Sequence, residues 1–278
     1  MSPRVIPRTG RAAAGIRLKT WAEIRMMREA GRIVAEVLAA MRTMVQPGVA
    51  TAELDRWAED YIRRRGGIPA FKGYPSMKDE GGPPYPATLC TSVNHVLVHG
   101  IPGPYRLKEG DIISIDVGVN FRGYYADAAI TLPVGSIPPE VRRLLEVTEA
   151  ALWAAIAQAR PGRRLGDIQW AIQHTVESQG FRVAREFTSH GIGRALHEPP
   201  SFVNRGHPGR GLPLRPGMTI AIEPMVTMGD WRTRILEDGW TVITLDGSLA
   251  AHFEHTIAIT EGDPIILTAL EDDPRLAS

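Results

Sequence analysis

The chain has 278 residues, 44% apolar and 23% charged, with a formal net charge of +1, the balance of a soluble globular protein of one large domain or two small ones. That charge argues against broad electrostatic attraction to nucleic acid. A single cysteine, Cys90, excludes an internal disulfide and any multi-cysteine zinc module, and points to a reducing compartment, the cytoplasm by default. No apolar run approaches the roughly 18 residues of a membrane span, and no signal-peptide pattern is present.

Residues 1–19 read as a flexible basic arm, with Arg4, Arg8, Arg11, Arg17 and Lys19 preceding the first acid, Glu23. A solvated, frayed terminus is the plain reading, and contact with the ribosome or RNA is the functional one. Pro3 and Pro7 oppose an amphipathic transit helix. From Thr20, apolar residues at three- and four-residue steps (Ile24, Met27, Ala30, Ile33, Val34, Val37, Leu38, Met41) predict a helix that Pro47-Gly48 stops. A second helix is expected from Thr51, as N-cap, to Gly66-Gly67. After a Pro/Gly-rich stretch from Tyr74 to Pro86 come β-rich runs over Ala87 to Val98, Asp111 to Val119 and Ala126 to Val134. Helices over Pro139 to Ala159 and Leu165 to Gln179 follow, then further strands. The expected organisation is one folded domain over 20–265 and a tail over 266–278.

The order of elements repeats, and so does a motif. Lys108-Glu-Gly-Asp-Ile-Ile-Ser-Ile-Asp116-Val is similar to Arg215-Pro-Gly-Met-Thr-Ile-Ala-Ile-Glu223-Pro, an acid ending an apolar strand in each. Each half supplies a second acid on a later strand, Asp127 and Glu254. Two such pairs in the same order indicate duplication of a unit of two helices and a carboxylate-bearing strand pair.

Acids within strands need explaining, because Asp is depleted there and an unpaired buried carboxylate is costly. Alternation puts Ile113, Ile115, Val117 and Val119 on one face, and Ser114, Asp116 and Gly118 on the other. Pairing across a turn near Gly123 brings Asp127 to the same surface as Asp116, and equivalent logic joins Glu223 to Glu254. One such acid alone would suggest a salt bridge; four together point to divalent cations held by oxygen ligands. A nitrogen ligand is available in Ser189-His190-Gly-Ile-Gly-Arg-Ala-Leu-His197-Glu-Pro-Pro200, where one histidine serves as ligand and the other as a catalytic or substrate-binding donor. His99, in Val98-His99-Gly100-Ile-Pro102, sits where a strand meets a loop, a common place for functional residues.

These segments, with YADAAIT at 125–131, AIEPMV at 221–226 and DGWTVITLDGSLAAHFEHTIAIT at 238–260, resemble the type I methionine aminopeptidases. The resemblance covers nearly everything from Ile16 to Gly262. It implies an α+β pita-bread (creatinase/aminopeptidase) fold, a pseudo-two-fold repeat of helices packed on an antiparallel sheet. It also implies a metallo-aminopeptidase that hydrolyses the N-terminal methionine from nascent proteins when the second residue is small, acting as a cytoplasmic monomer on nascent-chain N-termini. The ligands it implies for two divalent metal ions (Mn, Fe, Co or Zn) are Asp116, Asp127, His190, Glu223 and Glu254, with Asp127 and Glu254 bridging. Such a pair polarises the scissile carbonyl and holds a shared water at lowered pKa. Glu223 is then also the proton shuttle, and His99 and His197 contact the substrate. Tyr85, Cys90, Leu196 and Trp240 are the candidates for the methionine pocket.

The 26 positions from His197 to Glu223 leave no room for the helical insertion of a type II enzyme, and an N-terminal zinc-binding extension is not expected. Three features depart from the family's pattern: the extended loop Tyr74 to Pro86, Leu196 in place of an aromatic residue, and His252 in place of glutamine. The rival readings are an Xaa-Pro aminopeptidase or prolidase, whose large N-terminal domain has no counterpart in the arm, and an inactive adaptor, which intact ligands argue against.

Overall fold

The computed structural model describes residues 15–76 and 82–270. Thr20 opens the first helix with both halves of a capping box: the Glu23 N–H donates to Thr20 Oγ1, and the Thr20 N–H donates to the Glu23 carboxylate. The resulting α1 (Trp21–Met44) buries Ile24, Met27, Ala30, Ile33, Val34, Val37, Leu38 and Met41, the face its sequence periodicity predicts. In α2 (Thr51–Arg64) the N-cap is Ala50 rather than Thr51. The Thr51 hydroxyl is engaged elsewhere, accepting from the Gly103 N–H at 2.9 Å and donating to the Gly103 carbonyl at 3.1 Å.

Next come β1 (Ile68–Pro69), β2 (Leu89–Val93), β3 (Val96–Val98), β4 (Ile112–Phe121) and β5 (Tyr124–Pro133), then α3 (Pro139–Ile156) and α4 (Leu165–Glu177). The chain continues through β6 (Arg182–Val183), β7 (Thr188–Gly191), β8 (Glu198–Val203), β9 (Thr219–Ile222) and β10 (Met225–Thr227). It ends with β11 (Thr233–Ile235), β12 (Val242–Thr244), β13 (Ala250–His252), β14 (Glu254–Ala258) and β15 (Ile265–Ile266). The run expected as one strand over Ala87 to Val98 divides at Asn94. This residue turns the chain at φ 56° while its side chain bonds the Ile112 N–H and Asp111.

The main sheet runs β1-β4-β5-β14-β9-β7-β8, with β2 also on β4 and β15 on β14. Two three-stranded sheets, β13-β10-β6 and β11-β12-β3, complete the β structure. In the first half α1 packs on β4 and β5, and in the second α3 packs on α4 and reaches β9, β10, β13 and β14, so helices and paired strands occur twice in the same order. The β4–β5 hairpin closes through Arg122 and Gly123, at φ 51° and 81°. Positive φ at both central residues is the geometry that matches strand twist in a two-residue hairpin.

Packed structure lies at both ends of the expected domain. Lys19, placed in the arm, is buried and ion-paired with Glu198. The expected tail begins in packed structure: Ile266 pairs with Ile257, Leu267 and Ala269 are buried, and Arg28 donates to the Ile266 and Leu267 carbonyls. Arg4, Arg8 and Arg11, and with them the ribosome-contact reading of the arm, lie outside the described residues, as do residues 271–278. No described helix is long and apolar enough to cross a membrane.

Gly31 lets α1 approach this C-terminal segment, because a Cβ there would strike the Leu267 carbonyl. Gly→Ala in a helix interior ordinarily stabilises by about 1 kcal/mol. Gly31→Ala should instead lower stability by about 1–3 kcal/mol through overpacking, read as a lower urea midpoint; a raised midpoint would show that the contact yields.

Candidate active site

Strand register assembles the acids. Asp116 on β4 lies opposite Ala129 on β5, and Ala129 lies opposite Glu254 on β14. One step beyond the last paired residues of β9 and β14, Ile222 and His255, Glu223 faces Glu254. Cys90 on β2 pairs with Asp116 and extends this row. The adjacent row contains His190 on β7, Ala221 on β9, Thr256 on β14, and then Asp127 opposite Gly118. Thr256 and Asp127 are neighbours directly, since the Asp127 N–H donates to Thr256 Oγ1 at 3.1 Å. Residues two apart on a strand share a face, so both rows point to the same side. Ile113, Ile115, Val117 and Val119 are fully buried on the opposite one. The small residues Gly118, Ala129 and Ala221 separate the functional side chains within the rows.

Asp127, His190 and Glu254 each offer a ligand atom within 4.8 Å of the others. His190 Nε2 is 3.8 Å from Asp127 Oδ2 and 3.4 Å from Glu223 Oε1, and His252 Nε2 is 3.6 Å from Glu223 Oε2. Among the described residues these histidines are the ion-pair partners of the acids, and no lysine or arginine is among them. The single-acid salt-bridge explanation therefore has no cation to rest on. Asp116 Oδ1 is buried with no hydrogen-bond partner, an orphaned acceptor of the kind that costs about 1–3 kcal/mol unless filled. His190 Nδ1 lies 2.9 Å from the Gly191 carbonyl; donating there, it leaves Nε2 with its lone pair toward the carboxylates, the way a ligating histidine is usually oriented by a carbonyl behind it. This donor set and the unpartnered oxygen fit divalent cations.

The electrostatics agree. Burial first, then the charge of Asp127, holds the Asp116 carboxyl well above the ordinary carboxylate range. Glu223 and Glu254 are raised in the same way, with Asp127 again the leading neighbour, and Asp127 itself, mainly through burial, rises to about 6. Burial lowers His190, His197 and His99 to about 4 and His252 to about 3, leaving them neutral near pH 7.

The backbone around Glu223 is fixed by a closed loop of bonds. Its N–H donates to Ser189 Oγ, Ser189 donates to Asn204 Oδ1, and Asn204 Nδ2 donates to the Glu223 carbonyl. The loop from β7 to β8 folds His197 back until its ring centroid is 4.2 Å from that of His190, and Tyr74 Oη lies 2.7 Å from His197 Nδ1. His99 ends β3 at φ 59° and faces Phe187 and Trp240 edge-on.

All the expected residues line one cavity of about 610 Å³: the five candidate ligands, His99, His197, Tyr85, Cys90, Leu196 and Trp240. Tyr85 and Trp240 meet edge to face at 5.2 Å, and the Trp240 indole N–H donates to the Pro83 carbonyl. Tyr85 Oη donates to the Leu89 and Gly100 carbonyls, tying the pocket wall to the residue after His99. Phe71, Tyr74, Phe187, Met225 and His252 also line the cavity. Tyr74 and His252 stood out in the sequence only as a long loop and a departure from pattern, and neither carried a role.

Residues 25–261 match the family model of metallopeptidase family M24. The chain belongs to metallopeptidase family M24. Over 250 residues it is 49% identical to methionine aminopeptidase 1 of Bacillus subtilis, covering 90% of this chain and 98% of that protein. The crystal structure of methionine aminopeptidase from Thermotoga maritima superposes with a TM-score of 0.88 at 46% identity, over 92% of this chain and 100% of that one. A prolidase from Pyrococcus furiosus shares the fold alone, with a TM-score of 0.73 at 23% identity over 91% of this chain and 66% of its own. The architecture of this M24 chain is thus the pita-bread fold that the family resemblance implies.

Metal uptake by the metal-free M24 chain should release protons at pH 6, where Asp127 is half protonated and the histidines are already neutral. Affinity should rise with pH through this range. Calorimetry of Mn(II) binding in two buffers of different ionisation enthalpy counts the protons, and an absence of proton release would contradict the raised carboxyls.

Proposed function

We propose that this chain removes the N-terminal methionine from polypeptides whose second residue is small, with two divalent cations (Mn, Fe, Co or Zn) held by Asp116, Asp127, His190, Glu223 and Glu254. Asp127 and Glu254 would hold the cations from the neighbouring strands β5 and β14. The observation that carries the reading is the convergence of these five side chains on one sheet face at the cavity that Tyr85, Cys90, Leu196 and Trp240 also line. Bound there, the cations supply Lewis acidity and a water nucleophile active at neutral pH.

The remaining work falls to the chain's own residues. Glu223, with Oε1 toward His190 and Oε2 toward His252, receives the proton of the attacking water and returns it to the departing amine. His197 donates from Nε2 to the carbonyl as it becomes an oxyanion, and Tyr74 fixes that tautomer by donating to Nδ1. His99 orients the peptide beside Trp240. The methionine side chain enters the apolar pocket, where a thioether gains from aromatic contacts. With Tyr85, Leu196 and Trp240 each under 10% exposed, the pocket admits an unbranched side chain and excludes water. Similarity to methionine aminopeptidases supports action on polypeptide N-termini; cytoplasmic action as a monomer on nascent chains, with ribosome contact through the basic N-terminal residues, is part of the same proposal.

Met-Ala-Ser should be cleaved far faster than Met-Leu-Ser or Leu-Ala-Ser once metal is added, and similar rates on all three would refute the selectivity. His197→Ala should lower kcat roughly 100- to 1000-fold with metal content unchanged, whereas His190→Ala should lose metal affinity and recover partly at high metal concentration. Rescue by metal of His197→Ala alone would exchange the two roles.

A further inference from the structure

The cavity is also lined by residues to which the chemistry gives no role. Thr233, Arg234 and Ile235, the whole of β11, line it together with Glu186, Phe187 and Thr188. β11 is the outer strand of its sheet, with β12 on one side and, among the described residues, no strand on the other.

The ladder tells which main-chain groups face that open side. The Leu245 N–H donates to the Arg232 carbonyl at 2.9 Å, and the Leu236 N–H donates to the Thr241 carbonyl at 2.8 Å. Bonding alternates along an antiparallel pair, so residues 232, 234 and 236 turn their main chain toward β12, and Thr233 and Ile235 turn theirs away. The far side of β12 agrees, for the Thr244 N–H donates to the His95 carbonyl. β11 contains no proline, one of the devices that commonly blunt a free edge, and Ile235 is 49% exposed.

Distance fits as well. β3 delivers His99, and β11 lies two strands away in the same sheet, roughly 10 Å at ordinary strand spacing. A strand added outside β11 lies one spacing further, roughly 14 Å from β3, which an extended peptide covers in roughly four residues. Resting on the aminopeptidase reading above, we propose that β11 is a substrate subsite: residues three to five of the polypeptide pair with it as an added strand, through the main-chain groups of Thr233 and Ile235. Recognition of this kind is indifferent to side chains. It suits substrates that share a first residue and differ afterwards.

The test compares kcat/KM for the amides of Met-Ala-Ser and Met-Ala-Ser-Thr-Val-Ser on the metal-loaded enzyme. The hexapeptide should be preferred by about tenfold through a lower KM, the effect of one or two net main-chain hydrogen bonds. N-methylation of residue four or of residue five, but not of both alike, should cancel the preference, because only alternate amides of a strand face its neighbour. Ile235→Pro removes one outward N–H while sparing the ladder to β12, and should bring the hexapeptide-to-tripeptide ratio near one. The methylated peptides give the answer on the unaltered protein should that variant fail to fold. Equal kcat/KM on the two parent peptides, or equal sensitivity to both methylations, overturns the subsite while leaving methionine removal intact; no cleavage of Met-Ala-Ser overturns the parent reading instead.

Discussion

Burying Asp116, Asp127, Glu223 and Glu254 on one sheet face, beside histidines that are neutral near pH 7 and, among the described residues, without a lysine or arginine partner, sets the constraint from which the rest of the site follows. Charges so placed repel one another in a medium that solvates them poorly. Without a cation, folding raises these carboxyls above their unfolded values, to about 6 for Asp127. The metal-free fold then binds more protons than the unfolded chain, and these acids' contribution to stability falls as pH rises from about 4 through that value. A bound cation reverses the sign, so metal binding and folding become linked. The glycine and alanines between the acids leave the space such a cation needs, and α1 packs against β4 and β5.

The duplication explains how one short chain can bring so many acids together, and the halves use their copies differently. The first half joins its acid-bearing strands by a two-residue turn at Arg122 and Gly123. The second interposes β10 to β13 between β9 and β14, and that interposed segment supplies Trp240, His252 and the free edge of β11 to the cavity. The first half contributes Asp116 and Asp127 together with Tyr85, Cys90 and His99. The second contributes His190, Glu223 and Glu254 together with Leu196, His197 and Trp240.

Much of this was legible in the sequence because the relevant signals are local or periodic. Thr20 with Glu23 marks the start of α1, the spacing of its apolar residues marks the buried face, and alternation along Ile112 to Val119 puts Asp116 opposite the core. The repeated glycine-strand-acid motif then predicts which acids meet. Other features depend on contacts that sequence spacing does not express. Thr51 looks like a cap but is held by Gly103, on the far side of β2 and β3. Ile266 to Ala269 look like a tail but dock on β14 and α1, and Gly31 has meaning only once Leu267 is seen against it. Tyr74 becomes significant only when the β7–β8 loop returns His197 to it.

Everything in this account rests on the carboxylate rows holding two cations side by side. Electron paramagnetic resonance of the protein reconstituted with Mn(II) tests this most directly, because ions roughly 3.5–4 Å apart couple magnetically and isolated ions do not. The account predicts uptake of two equivalents with an exchange-coupled signal that Glu254→Ala abolishes. Saturation at one equivalent, with the six-line spectrum of an isolated ion at every stoichiometry, would contradict it.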